Sequence, residues 1–238
     1  VSLIINVAGA LHERERELWL SYAENEKNGA RKQAGILRAK LIAAIQAYPS
    51  EERAHFALAF VELARRSRTQ RFPIRRDIFY ALVLPVLVAR HDAGVAGAAR
   101  DLLVFDEYLS SVKPFLDVVG DRHLSVYTLL REAMDEHPDD AALKYLWIAR
   151  KAEGFEYTFH EVPSGVLYGN GGASVAECAE LLVELDAFER IVAEVGRSEK
   201  YRERVRRWRH YAAGYREYLL NRDKYEWFGA YLERHPLT

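Results

Sequence analysis

Residues 155–177, FEYTFHEVPSGVLYGNGGASVAE, form the one stretch of this chain that does not read as helix. Pro163 and four glycines (Gly165, Gly169, Gly171, Gly172) interrupt a run of aromatic and branched residues. The segment YTFHEV followed by Pro-Ser-Gly predicts a small β-hairpin over 156–169, because such side chains suit a pleated strand and Pro-Ser-Gly suits a turn. The stretch ends at Ser174, which with Glu177 three positions on carries the signature of a capping box, so a helix starts there. Backbone N–H groups at a helix start can hold an anion, and glycines let a ligand come close. His160, Glu161, Gly169, Asn170, Gly171 and Ser174 are therefore a candidate ligand loop. There is no Gly-Lys-Ser/Thr ending and no G-x-G-x-x-G after a buried strand, so the stretch does not match a nucleotide-phosphate loop. On a strand, His160 and Glu161 would point to opposite faces, which argues against joint acid/base work on one atom. A structural hairpin is the expectation, with a ligand or catalytic loop as the alternative.

Outward from this stretch, apolar residues recur at steps of three and four between polar faces, and strand signals are scarce. The pattern predicts helices over 11–26, 32–48, 51–67, 75–91, 95–111, 121–137, 140–153, 174–195, 198–221 and 223–234. Together they describe an all-α fold of stacked antiparallel helix pairs, either one domain over 1–238 or two related halves joined near 112–121. Ser50 and Asp139 each follow a proline and precede a helical run, as acceptors for first-turn N–H groups do. Pro85 lies inside ALVLPVLVA, where it removes a donor and collides with the preceding turn, so the helix is expected to kink or split there.

An internal echo sets LIAAIQAYPSE, from Leu41, against LREAMDEHPDD, from Leu130. A duplication and a chance match between alanine- and leucine-rich helices both account for it. The steps Ala44 to Pro49 and Ala133 to Pro138, and then Leu143, Leu146, Gly154 and Tyr157, resemble the end and the start of tetratricopeptide repeats. The resemblance covers about one unit and departs from the family at Trp147 and His160. It implies paired antiparallel helices and the binding of peptides or partner proteins in a concave groove.

Composition narrows the function classes. Lys+Arg (34) nearly balance Asp+Glu (35), for a net charge of −1, which is poor support for a nucleic-acid binder. Cys178 is the single cysteine, so no intramolecular disulfide and no cysteine-based zinc site can form, and the expected compartment is the cytoplasm. The opening VSLIINVAGAL is too short to cross a bilayer and reads as the approach to the first helix. Glu52 and His55 make one E-x-x-H pair, half of what a di-iron carboxylate centre needs, so no metal and no cofactor are expected. No G-x-S-x-G elbow occurs, and Cys178 reads as core rather than nucleophile.

Two regions read as binding surfaces. RRSRTQRFPIRR, residues 65–76, holds six arginines and no acid, so Arg68, Arg71 and Arg75 are candidates for gripping an acidic partner; Arg65 and Arg66 also suit a helix C-terminus. Farther on, Trp208, Tyr211, Tyr215 and Tyr218 follow steps of three and four on a helix nearly devoid of aliphatic residues. Rows of tyrosine favour a half-wet edge, because each buried hydroxyl needs a partner. Arg202, Arg206 and Arg209 lie beside the row. The sequence thus predicts an interaction module for a protein, a peptide or a second copy of the chain. An enzyme or small-ligand binder using the glycine-rich loop is the alternative, and a nucleic-acid binder working through an arginine cluster ranks third.

Overall fold

A computed structural model describes residues 9, 11–66, 75–109, 113–120, 124–162 and 172–237. The described residues are all-helical, with no strand among them. The chain divides into two compact units, residues 1–138 and 139–238.

In unit 1, α1 (Glu13–Lys27) and α2 (Arg31–Gln46) are joined by three residues and pack along their length. The turn between them needs a positive φ, which Gly29 supplies at 73°. Next comes α3 (Ser50–Arg66). Its Phe56 and Phe60 meet Trp19 of α1 edge-on, at centroid distances of 6.3 and 5.6 Å. The expected disturbance at Pro85 takes the form of a widened turn. A short α4 (Arg76–Ile78) leads into a π-helical segment, Phe79–Val83, before α5 (Leu84–Asp92) begins. Leu84 N–H donates to the carbonyl of Phe79, five residues back. Pro85, in the first turn of α5, has no N–H for the carbonyl of Ala81, so the widened turn falls where the regular ladder would lose a bond.

Helices α6 (Ala98–Leu103), α7 (Lys113–Val119) and α8 (Val126–Glu136) complete the unit. Here the structure departs from the predicted spans. Of the span 95–111, the described residues 95–109 hold the two turns of α6 and a 3₁₀ turn at Asp106–Tyr108 rather than one helix. Helix α8 starts with a capping box that sequence reading did not pick out: Ser125 Oγ accepts from Thr128 N, and the Thr128 hydroxyl accepts from Ser125 N.

Unit 2 contains α9 (Ala141–Phe159), α10 (Val175–Glu194), α11 (Ser198–Leu220) and α12 (Phe228–Arg234). The cap of α9 is Asp140, which accepts from Ala142 N and Leu143 N; Asp139, one residue earlier, was expected in that role. Ion pairs Lys144–Glu194 and Lys151–Glu184, both at 2.9 Å, fix α9 and α10 as antiparallel.

The predicted hairpin over 156–169 is corrected over its described part. Residues 156–159 are the last turn of α9, and His160 to Val162 close it in a turn. The cause is burial: Phe155 and Phe159, one helical turn apart, are 3% and 4% exposed, while Tyr157 between them is 78% exposed. That is the pattern of a helix face, and packing overrides the strand preference of the side chains. Residues 163–171 lie outside the described part, as do most of the opening segment and residues 67–74.

The core of unit 2 is aromatic. Phe188 sits among the rings of Trp147, Phe155, Tyr201 and Trp208, with centroids 5.4 to 6.0 Å away. Gly214, in the middle of α11, lowers helix propensity, but a Cβ there would lie 2.9 Å from Tyr231 Cε1, so the glycine lets α12 seat. Phe188→Ala is expected to cost about 3–5 kcal/mol, the range for emptying a buried aromatic site. Tyr157→Ala, on the exposed face, is expected to stay within about 0.5 kcal/mol. Urea titration of both variants followed by circular dichroism checks the contrast.

Candidate functional site

The aromatic row of α11 lies inside unit 2. Trp208 is fully buried, and Tyr215 and Tyr218 are 5% and 8% exposed. Tyr215 and Tyr218 pack on Phe228 of α12 at 4.9 and 5.7 Å, and Tyr211, half-buried, faces Phe159 at 6.4 Å. The rings hold α11 to its neighbours, so Trp208, Tyr215 and Tyr218 present little surface to a partner. Trp208 Nε1 is buried with no acceptor. The arginines beside the row have partners within the unit. Arg202 pairs with Glu199, Arg206 with Glu203 at 2.7 Å, and Arg209 with Asp186 and with Glu189, to which its Nε donates at 2.9 Å.

The loop candidates divide. Gly169, Asn170 and Gly171 lie outside the described residues. His160 and Glu161, expected on opposite faces, meet: His160 Nε2 is 2.9 Å from Glu161 Oε1, because the chain turns at the end of α9 instead of running extended. Both are about half exposed, and the other ring nitrogen of His160 bonds the Tyr157 carbonyl. Ser174 caps α10, with its Oγ accepting from Glu177 N and its own N–H donating to Glu177 Oε2 at 2.7 Å. Cys178 is buried, and burial pushes its thiol up to about 11, so it stays protonated near neutral pH.

A polar cluster binds the start of α1 to α2 and α3. Buried Glu15 accepts from the Tyr48 hydroxyl at 2.9 Å, and His12 stacks on the Tyr48 ring at 4.5 Å. Burial, and then the bond to Glu15, push the Tyr48 phenol up to about 12, which keeps it a donor. Glu52 Oε2 lies 2.9 Å from His12 Nε2. No group of three potential metal ligands occurs among the described residues.

Two arginine-rich clefts remain, both in unit 1, each of about 530 Å³. The described ends of the 65–76 arginine segment line one each. Arg75 and Arg76 line the first with Arg38, Asp77, Glu107 and Tyr108. Within it, Arg38 bonds Asp77 and Glu26, and Arg75 bonds Glu26. Arg76 pairs with no carboxylate among the described residues, and its charge restrains the burial-driven rise of the Tyr108 phenol. Arg68 and Arg71 lie outside the described residues. Arg65 lines the second cleft with Arg90, Arg100 and Asp101. Arg65 Nη2 donates to Asp101 Oδ1 at 2.6 Å, and Arg90 Nη2 stands 3.8 Å from Oδ2. Burial pushes the Asp101 carboxyl above its ordinary value, and the charges of Arg65, Arg90 and Arg100 oppose that rise. Sequence reading found the segment 65–76 but not Arg38, Arg90, Arg100 or Asp101, which come from separate helices; Arg90 in a last turn reads as ordinary dipole pairing.

No family model matches the chain, and no curated protein or solved structure is significantly similar to it.

The Ser174 cap yields a pH-dependent expectation. Hydrogen bonding from Ser174 lowers the Glu177 carboxyl below its usual 4.5, so this contribution to stability is present above pH 4.5 and is lost as pH falls through the lowered folded value. The stability difference between the native chain and Glu177→Gln should therefore be largest at neutral pH and vanish in acid. Ser174→Ala is expected to cost about 1 kcal/mol at neutral pH. Thermal melts from pH 3 to pH 7 check both.

Proposed function

We propose that the chain is a helical interaction module that binds an acidic protein or peptide segment through the arginine cleft of Arg38, Arg75 and Arg76. The supporting observation is Arg76: an exposed guanidinium without a carboxylate partner among the described residues, beside two further arginines and a tyrosine. Arginine and tyrosine are the side chains that binding hot spots favour, and a guanidinium offers paired donors that match a carboxylate. Arg38 and Arg75 are held in place by Glu26 and Asp77, so that part of the cleft is ordered before a partner arrives. The docking role moves here from α11, whose rings are buried.

The reading predicts that a fluorescein-labelled peptide rich in glutamate and aspartate binds the chain, with affinity falling as salt rises. Arg76→Glu should weaken that binding at least about tenfold, equal to about 1.4 kcal/mol, without lowering the melting temperature, because Arg76 leaves no carboxylate behind. Fluorescence polarisation decides. Equal binding of a glutamine/asparagine counterpart, or unchanged binding by the variant, would refute the proposal.

A further inference from the structure

The turn between α1 and α2 contains Asn28–Gly29, one of two Asn-Gly pairs in the sequence, and both residues are exposed. The backbone closes α1 in a Schellman motif: Gly29 N donates to the Glu26 carbonyl at 3.2 Å, and Ala30 N to the Asn25 carbonyl at 2.9 Å. Helix α2 follows at once, so this short turn sets how the two helices pair. The Asn28 side-chain amide makes no hydrogen bond to a described residue. Asparagine before glycine is thermolabile, because glycine has no Cβ to shield its backbone nitrogen, which can attack the asparagine side-chain carbonyl carbon. Two features of the turn hold that reaction back. Gly29 N is committed to Glu26, and a ψ of 1° at Asn28 eclipses the Gly29 nitrogen with the Asn28 nitrogen, whereas ring closure needs it beside Cβ. The attack therefore waits on local opening of the turn.

We propose that Asn28 is a site of spontaneous deamidation gated by opening of the α1–α2 turn, and that the isoaspartyl product cannot re-form that turn. In the opened turn Gly29 N bonds to Asn28 Cγ, the Cγ–Nδ2 bond breaks, and ammonia leaves with the proton of Gly29 N. Water then opens the succinimide. Addition at Cγ gives aspartate, and addition at the backbone carbonyl carbon gives isoaspartate, whose main chain runs through Cβ and Cγ. That path is one backbone atom longer, so the bonds from Gly29 and Ala30 to the last turn of α1 cannot both close. Glu26 extends the effect, since its carbonyl accepts from Gly29 while its carboxylate holds Arg38 and Arg75.

The full chain and a synthetic peptide of residues 22–34, the unstructured reference, are incubated at mildly alkaline pH. Mass spectrometry of digests then follows the mass gain at Asn28 separately from the other Asn-Gly pair, Asn170–Gly171. Deamidation at Asn28 is expected in the chain at a rate at least about tenfold below that of the peptide. The ratio should match, within about threefold, the opening equilibrium given by hydrogen exchange of the Gly29 amide. Asn28→Gln should abolish the mass gain in that digest fragment. The isoaspartyl form, separated by ion exchange, should melt at least about 2 °C below Asn28→Asp, which carries the same charge without the added backbone atom. The proposal fails if Asn28 stays unmodified over a period that the measured opening makes sufficient, or if it reacts as fast in the chain as in the peptide. It fails equally if only aspartate forms, or if the isoaspartyl form melts together with Asn28→Asp.

Discussion

Helix α11 must bury a face that contains almost no aliphatic side chains, and the packing of unit 2 follows from that constraint. Over Ser198–Leu220 its buried side chains are Tyr201, Val205, Trp208, Ala212, Tyr215 and Tyr218. Flat rings bury area well only against other flat rings and small residues, because offset and edge-on contacts need space on both faces. Each neighbouring helix supplies that complement. Phe188 comes from α10, Phe155 and Phe159 from α9, and Phe228 from α12. Gly214 then clears room for Tyr231. The extension of α9 to Phe159 has the same origin, since an extended chain would put Tyr157 on the same face as Phe155 and Phe159, whereas the helix buries the two phenylalanines and leaves Tyr157 exposed.

Unit 1 is organised differently. Its apolar core is conventional, with Trp19, Phe56, Phe60, Leu41, Ile45, Phe79 and Leu87 all but fully buried. Its distinguishing feature is charge placed at helix ends. The last turns of α3 and α5 and the first turn of α6 carry Arg65, Arg90 and Arg100 to one buried carboxylate, Asp101. A buried carboxylate is tolerated only when cations and hydrogen bonds compensate its lost hydration. The first cleft holds Arg38 and Arg75 on Asp77 and Glu26, with Arg76 as the outlying charge.

The limits of reading the chain alone appear at particular residues. The Ser174–Glu177 capping box was legible because both its donors and its acceptors lie within four residues. The disturbance before Pro85 was legible as a consequence of a missing donor, although its form, a π-helical turn at Phe79–Val83, depends on how the surrounding helices hold that segment. The hairpin was misread because Tyr, Phe and Val have the same local preference whether a strand or an aromatic core finally receives them. His160 and Glu161 were placed apart for the same reason.

The sequence by itself determined the helical class, that no intramolecular disulfide forms, the lack of a charge excess and most helix starts, since each depends on composition or on contacts within one or two turns. Only the tertiary structure decided which faces of those helices are inside. It placed Trp208, Tyr215 and Tyr218 in the core and paired Arg202, Arg206 and Arg209 within their own unit. It also joined Arg65, Arg90, Arg100 and Asp101, residues up to 36 positions apart, around one cleft. An amphipathic pattern defines an apolar stripe but not the partner that covers it, and a charge has no partner until separate helices bring one within hydrogen-bonding distance.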